Sequence, residues 1–201
     1  MLLLAVPALA DDGEWETVAT SPYTVKTRPR PKSEVREVWA EGDLDAPVKD
    51  IQDALTVMKR FSSFMPYVKD AREVSKEDDG SVYTYTELDL PVITGRDYVV
   101  HVFQDESVRP DGSGNFRCHW VAAPDVLPLH EDLVRLTVNE GTWEVTPKPD
   151  GKSHVIYRFA ADPGGLVPVF LINYGNQHGV GETLGAIEKE AQRRQKARVV
   201  H

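Results

Sequence analysis

The sequence has a single cysteine, a deficit of positive charge and no long apolar run. The lone Cys118 among 201 residues cannot form a disulfide within the chain, so we expect it to pack as a small apolar residue in a strand. Lys and Arg number 23 against 32 Asp and Glu, which gives a net charge of −9. That balance disfavours binding to the phosphate backbone of nucleic acids. No apolar run reaches the roughly 18 residues of a membrane-spanning helix.

The motifs of common enzymes are also missing. The histidines show no H-E-x-x-H zinc spacing, and the G-x-S-x-G turn of serine hydrolases is not found. The glycine-rich stretch GNQHGVGETLG lies in a helical pattern and lacks the Lys-Ser/Thr pair of a phosphate-binding loop. The sequence therefore carries no motif for a zinc site, a serine nucleophile or a phosphate-binding loop. Five of the six histidines are scattered along the chain, at His101, His119, His130, His154 and His178.

The N-terminus, MLLLAVPALADD, is a short apolar stretch that ends in an A-x-A pattern at residues 8–10. This pattern resembles the end of a secretory signal peptide, although the basic segment that begins such leaders is missing. We predict that residues 1–10 are a signal-peptide remnant and that residues 11–201 form one domain. The protein would then be periplasmic or secreted, with a bacterial periplasm as the first expectation.

β-Branched and aromatic residues, separated by turn signals such as EDDG, RPDGSG and KPDGK, indicate a series of strands. The connections are mostly of hairpin length, so we expect an antiparallel meander. The predicted strands are Tyr23–Thr27, Glu34–Glu41, Val68–Lys76, Val82–Leu90, Arg96–Gln104, Phe116–Ala122, Val134–Thr146 and His154–Ala161.

Two helical patterns interrupt the strands. The first, residues 45–61, has Asp45 as its expected N-cap and Pro47 in its first turn. The second follows the turn DPGG and runs towards the C-terminus. Its apolar positions form one stripe, Val169, Asn173, Gln177, Val180, Leu184, Ile187 and Ala191, with two amides set into it. This order predicts an α+β fold in which a curved antiparallel sheet wraps around a long C-terminal helix.

Several ordered motifs resemble one family. They are EVWAEGDLDAPVKDIQDAL, RFSSFMPYVKDAREV, PVITGRDYVVH, VRLTVNEGTWEVTP and HVIYRFAADPGGLVPVFLIN. Together they span about residues 13–195 and resemble the START (StAR-related lipid-transfer) domains of the helix-grip, or Bet v 1-like, superfamily, in the stand-alone bacterial form. Phe170 stands where the family usually has tryptophan. No single motif decides the resemblance; their number and order do.

The resemblance implies a helix-grip fold with a central apolar cavity that the C-terminal helix closes. It implies non-covalent binding and transfer of a lipid, such as a sterol or a phospholipid, without metal or cofactor, by a monomer that contacts membranes transiently. Two alternatives stay open. One is a cyclase or aromatase acting on polyketides, since such enzymes share the superfamily, and the other is an interaction module with a filled interior.

Alternation along the strands gives two candidate inner rows. In RDYVVHVFQ, Asp97, Val99, His101 and Phe103 share one face, while Arg96, Tyr98, Val100 and Val102 share the other. Alternation alone leaves open which face is concave. Some family members carry an acid and a base in the cavity, and those positions match Glu87 and His101, although the usual base is arginine. Arg96 and Asp97 match a family motif for which we expect a structural role.

The predicted ligand-binding residues are Glu87, His101, Tyr85, Val99, Phe103, Asn173, Gln177, Val180 and Leu184. A second feature of the C-terminal helix is its glycine content, Gly175, Gly179, Gly181 and Gly185. Each interior glycine costs about 1 kcal/mol relative to alanine. Our hypothesis is that these glycines weaken the helix, so that it opens locally at low cost.

Overall fold

The computed structural model describes residues 13–30, 33, 35–165, 167 and 179–199. Ten strands in this part of the chain form one sheet, in the order β1-β2-β3-β10-β9-β7-β6-β5-β4, with β8 paired to β6 in parallel. The other pairings are antiparallel. The strands are β1 (Glu16–Ala19), β2 (Thr24–Pro29), β3 (Arg36–Leu44), β4 (Val68–Lys76), β5 (Val82–Leu88), β6 (Arg96–Glu106), β7 (Phe116–Ala122), β8 (Val134–Arg135), β9 (Asn139–Pro147) and β10 (Ser153–Ala161).

The predicted meander is confirmed, with two differences. The predicted strand Val134–Thr146 is two strands, because β8 pairs with the start of β6 whereas β9 pairs with β7 and β10. The short strand β1, which pairs with β2, was not predicted. The tight turns between strands carry glycines in the left-handed region, for example Gly80 at φ 88° and Gly151 at φ 80°, as such turns require.

The first helical pattern is shorter than predicted. Helix α1 spans Val48–Thr56, and a 3-10 helix follows at Met58–Ser63. The break lies at Val57, whose φ of −89° and ψ of 74° are not helical. The predicted N-cap at Asp45 is wrong, because the helix begins after Pro47 and no side chain caps it. The Asp45 N–H instead donates to Glu188 Oε1 at 2.6 Å.

The C-terminal helix, α2, spans Val180–Val199 and packs against α1 and the sheet. The apolar stripe is confirmed in its described part, since Val180, Leu184, Ile187 and Ala191 are buried. Val169, Asn173 and Gln177 lie outside the described residues. The stripe joins a core built from the inward side chains of the sheet, among them Val25, Ala40, Phe116, Val145 and Val155. A sheet wrapped around a helix in this way is the predicted α+β helix-grip arrangement.

Ion pairs fix the C-terminal half of α2. Glu190, only 4% exposed, accepts from Arg193 Nε at 2.6 Å and from Arg194 Nε at 2.9 Å, and it pairs with Arg60 at 3.2 Å. Arg198 donates to the buried Asp50 of α1 at 2.7 Å. Burial raises the pKa of Asp50 despite this partner. The first turns of α2 border a groove of about 780 Å³ against the 3-10 helix, with Phe64, Gly181 and Gly185 among its lining residues.

Candidate functional site

One row of side chains on the sheet faces α2, and we call it the inner row. It comprises the inward positions of β5, β6, β7, β9 and β10, with Thr86, Tyr98, Val102, Trp120, Trp143, Tyr157 and Phe159 as its main members. Its direction follows from register, because Val102 lies opposite Trp120, Cys118 opposite Trp143, and Trp143 opposite Tyr157. Cys118 and Trp143 belong to the same packed cluster as Leu184 and Ile187 of α2. The inner row therefore looks into the space between sheet and helix.

Aromatic rings dominate the middle of the inner row. Tyr157 stacks on Trp143 with ring centroids 3.8 Å apart and planes 2° from parallel, and Phe159 lies on its other side at 4.6 Å. Trp120 lies 6.1 Å from Tyr157, and its indole N–H donates to Asn139 Oδ1 at 2.9 Å. These contacts hold the rings in place.

Gly141 allows the Trp120 ring to lie against the β9 backbone. A Cβ atom at this position would sit 2.5 Å from Trp120 Cζ2 and 2.4 Å from the Arg158 carbonyl oxygen. Both distances are far below van der Waals contact, so only glycine fits here without displacement of the ring or of β10. The orientation of Trp120 thus depends on the glycine at position 141 of the neighbouring strand β9.

The two inner-row tyrosines are enclosed but keep accessible surface. Burial raises the pKa of Tyr98 and of Tyr157. Even so, both residues remain partly exposed, as do Trp120, Phe159 and Val102, which pack on the core. A side chain that lines an interior space is expected to be deeply placed in the fold and still to keep some accessible surface.

Thr86 adds a buried hydroxyl to this row, at 0% exposure. It lies opposite Tyr98 in the register, and its interaction with the Tyr98 phenol offsets part of the rise that burial causes in the pKa of Tyr98. Cys118 of the same row is buried, as predicted, and burial raises the pKa of its thiol to about 12.

The face chosen from the sequence needs correction for β5 and β6. Tyr85, Glu87, Val99, His101 and Phe103 lie on the opposite, outer face of the sheet, since each alternates with an inner-row residue. Val99 and Tyr85 are nevertheless buried, at 0% and 6% exposure. Arg135 of the segment 123–136 pairs with the outward Asp97 of β6, so part of this outer face is covered as well.

The expected acid–base pair does not form. Glu87 lies opposite Asp97 in the register and accepts from Lys69 Nζ at 2.7 Å. His101 lies opposite Tyr83, with their ring centroids 4.0 Å apart. On the outer face, Glu87 and His101 therefore lie apart from each other, and each contacts a different partner.

His101 and Ser81 also do not form a nucleophile and base. His101 Nε2 is 2.7 Å from Ser81 Oγ, and that hydroxyl donates to Asp79 Oδ1 at 2.6 Å. The Ser81 proton is therefore directed at the carboxylate and not at the imidazole, so the arrangement lacks the proton acceptor that a serine nucleophile needs.

The residues predicted from the C-terminal helical pattern divide by position. Val180 and Leu184 lie in the core that faces the inner row, at 4% and 0% exposure. Asn173 and Gln177 lie outside the described residues. Seven inward-facing residues of the sheet were not among the predicted ligand-binding residues: Thr86, Tyr98, Trp120, Asn139, Trp143, Tyr157 and Phe159.

Arg96 and Asp97 point to opposite faces, as predicted. Arg96 is 2% exposed and donates to the carbonyl oxygens of Thr94, Pro163 and Gly164, the last two at 3.2 and 3.3 Å. Desolvation lowers the pKa of its guanidinium. It therefore ties the start of β6 to the turn that leads into the C-terminal region, where Gly164 has a φ of 62°.

The described residues contain no group of three or more His, Cys, Asp or Glu side chains placed to hold a metal ion. Within the same part of the chain, no helix combines the length and apolarity needed to cross a membrane.

The sequence is similar to a curated protein of unknown role. An uncharacterized protein of Pseudomonas aeruginosa is 29% identical over 120 residues, which are 59% of this chain. The match spans only 57% of that relative's length, so no function can be assigned to this chain from that relative. No family model matches the sequence.

Solved structures match much more of the chain. A STAR-related lipid transfer protein from Xanthomonas axonopodis is 27% identical with a TM-score of 0.76, covering 89% of this chain and 98% of that one. The human StAR-related lipid transfer protein 5 has a TM-score of 0.77 at 16% identity, covering 90% of this chain and 88% of that one. An aromatase/cyclase from Streptomyces has a TM-score of 0.56 at 10% identity, covering 80% and 96%.

Proposed function

The chain has the fold of a START domain, and from that premise we propose that it binds a hydrophobic lipid non-covalently between the inner row and α2. The observation that carries this proposal is the enclosed aromatic row. Tyr98 and Tyr157 are deeply set, and Trp120 and Phe159 pack on the core, yet each of the four keeps accessible surface. Burial of a lipid against such a wall would be favourable by about 25 cal/mol per Å² of apolar surface.

Entry of the lipid requires a part of the wall to move. The C-terminal half of α2 is held by Glu190, Asp50 and their arginine partners. Its first turns instead border an open groove against the 3-10 helix. They contain Gly185 and follow directly on Gly179, and a Cβ atom at either position would meet nothing within 4 Å. We propose that this N-terminal part of α2 moves during lipid exchange.

Three other parts of the proposal depend on the family resemblance or on the leader sequence. The protein would carry its lipid between membranes and touch them only transiently. It would act as a monomer. It would be exported to a periplasm or secreted, because residues 1–10 resemble the end of a signal peptide. Detection of the mature N-terminus by mass spectrometry of the natively produced protein tests the last point.

Native mass spectrometry of the purified protein, followed by lipid extraction, tests the binding itself. We expect a co-purifying lipid, or uptake of a labelled lipid from vesicles at one molecule per chain. A protein that neither retains nor takes up any lipid would contradict the proposal and would favour an interaction module with a filled interior.

A cyclase or aromatase acting on polyketides is the second candidate, because the fold is shared with the Streptomyces enzyme. Such chemistry needs an acid or a base beside the substrate. The acid and base suggested by the sequence, Glu87 and His101, lie on the outer face, away from the inner row. Turnover of a linear polyketide by the purified protein, lost in a Tyr157→Phe variant, would favour the enzyme over the carrier.

A further inference from the structure

We propose that the side-chain amide nitrogen of Asn139 donates a hydrogen bond to an uncharged acceptor oxygen of the lipid, the carbonyl of an ester or a ketone. This inference rests on the proposed function, because it specifies the ligand chemistry of the same space. Asn139 was not among the predicted ligand-binding residues and is the first residue of β9. Its role follows from the direction of its amide, from its burial and from the lack of free charge around it.

Asn139 lies on the inner face, at the end of the sheet where β10 ends. It pairs in the register with Ala161, the last residue of β10, and the Asp162 N–H donates to the carbonyl oxygen of the preceding Val138 at 2.9 Å. Residues two or four positions apart on a strand share a face, so Asn139 points to the same side as Trp143, which belongs to the core. The Asn139 side chain is therefore directed into the space between the sheet and α2.

Trp120 determines which way the Asn139 amide faces. The indole nitrogen of Trp120 lies 2.9 Å from Asn139 Oδ1, and an indole N–H can only donate. The amide oxygen must therefore face Trp120, and the amide nitrogen is directed away from it. Trp120 is itself held close to Gly141, where a Cβ atom would sit 2.5 Å from the ring. The direction of the amide donors is thus set by packing.

The amide nitrogen of Asn139 carries two N–H donors that are not in use. Among the residues that the structure describes, the hydrogen bond of this side chain is the one that its oxygen accepts from Trp120. The residue is nevertheless only 9% exposed, and buried amides normally have their donors paired with protein or water. A lipid that displaces water from this space would leave both donors unpaired, which is unfavourable unless the lipid itself brings an acceptor.

The surroundings of Asn139 lack a free charge. On the inward positions of the described strands β5, β6, β7, β9 and β10, the charged side chain is Arg96. Its guanidinium already donates to three backbone carbonyls. A carboxylate or phosphate at Asn139 would therefore be buried without a counter-charge, which is far more costly than burial of a hydrogen-bonded carbonyl. An alcohol suits the site less well, because its own proton needs a further acceptor.

Two matched probe series test the ligand chemistry while keeping the apolar body constant. One is methyl oleate, oleyl alcohol, oleate and octadecene, and the other is cholestanone, cholestanol, cholestanol sulfate and cholestane. Each probe is delivered from methyl-β-cyclodextrin, and the fraction of the full-length protein that binds it is measured by native mass spectrometry at neutral pH. Because one hydrogen bond contributes about 1 kcal/mol, we expect the ester and the ketone to bind about fivefold more tightly than the hydrocarbon and the anion.

Two variants separate binding by Asn139 from a purely structural role. Asn139→Asp keeps an oxygen for Trp120 and removes both donors, and it should reduce the preference for the carbonyl over the hydrocarbon about fivefold. Trp120→Phe keeps a ring and removes the bond that orients the amide, so the preference should fall about two- to threefold. Asn115→Asp is the matched control, because it makes the same chemical change at an exposed position before β7; its preference should equal that of the wild type.

The outcomes separate this inference from the proposed function. If no probe of either series binds, the proposed function fails and the inference fails with it. If the carbonyl probes bind no better than the hydrocarbons, or if the alcohol or the anion binds best, the inference is overturned although lipid binding stands. A carbonyl preference that survives Asn139→Asp would also overturn it. Melting temperatures show whether the variants fold, and the wild-type series together with Trp120→Phe decides the question if Asn139→Asp does not.

Discussion

Asp97 and Arg135 form a two-bond ion pair on the outer face of the sheet. Nε and Nη2 of Arg135 lie 2.8 Å from Oδ1 and Oδ2 of Asp97, and the side chains are only 5% and 1% exposed. Arg135 also donates to the carbonyl oxygens of Pro124 and Leu127 at 2.6 and 3.2 Å. The pair thus fastens the segment 123–136 over the outer face of β6.

Removal of one partner should destabilise the fold strongly. In Asp97→Ala the Arg135 guanidinium would stay buried without its counter-charge, so we expect a loss of about 3–5 kcal/mol in the free energy of unfolding. Urea denaturation measures it. Asp70→Ala is the control, because Asp70 and its partner Arg72 are about half exposed, and its cost should stay below about 1 kcal/mol. Equal losses in the two variants would contradict the role given to Asp97.

The sequence contained enough information to orient three of the five strands that carry the inner row. In FRCHWVA, Phe116, Cys118 and Trp120 alternate with polar residues, and β9 and β10 show the same pattern around Trp143 and Tyr157. A one-sided pattern of this kind identifies the buried face of a strand. Those rings could have been selected from alternation alone, without knowledge of the register.

The neighbouring strand β6 could not be oriented in this way. Both of its faces carry buried apolar residues, since Val100 lies on the inner row while Val99 is buried on the outer face. The outer face is partly covered through long-range contacts such as the pair of Asp97 with Arg135. The apolar residues of β6 therefore show that the strand is buried, but they do not show which of its faces points to the cavity. The comparison with the family selected the wrong face for Glu87 and His101.

The corrected face gives a direct test with substitutions. Because Glu87 and His101 lie on the outer face, we expect Glu87→Gln and His101→Ala to leave lipid uptake from vesicles unchanged within about twofold. Trp120→Ala, which removes a ring of the inner row, should reduce uptake at least fivefold. Melting temperatures of all three variants serve as controls for folding. Selective loss of uptake in the Glu87 or His101 variant would return these side chains to the ligand site.

Glu190 should make the fold sensitive to acid. Hydrogen bonds from Arg193, together with the charges of Arg193, Arg194 and Arg60, lower the pKa of its carboxyl from 4.5 to about 2. A lowered pKa in the folded state stabilises the protein above pH 4.5, and this contribution is lost as the pH falls towards about 2. Its size is at most about 3 kcal/mol.

Glu190→Gln isolates this contribution. We expect the variant to be less stable than the wild type at neutral pH and the difference to shrink as the pH falls through the same range. Urea denaturation at a series of pH values measures the difference. Glu73→Gln is the control, because Glu73 is exposed on β4, and its difference from the wild type should stay small at every pH. A constant gap for Glu190→Gln across the range would contradict the assignment.

A substitution of Gly185 tests whether the stability of α2 controls the rate of lipid exchange. A Cβ atom at this position would meet nothing within 4 Å, so alanine fits without a clash. Gly185→Ala should therefore raise the stability of the helix by about 0.5–1 kcal/mol. If local opening of α2 limits exchange, release of a labelled lipid should slow by about two- to fivefold. Stopped-flow transfer to acceptor vesicles measures the rate.

The neighbouring Ala186→Gly is the matched opposite of this change. It weakens the same turn of α2 by a similar amount, so lipid release should accelerate by about the factor by which Gly185→Ala slows it. Amide hydrogen exchange of α2 in both variants reports the change in opening independently of the lipid. If opening of the helix shifts in both directions and release does not follow, α2 does not limit exchange, and the glycines of this helix serve some other purpose.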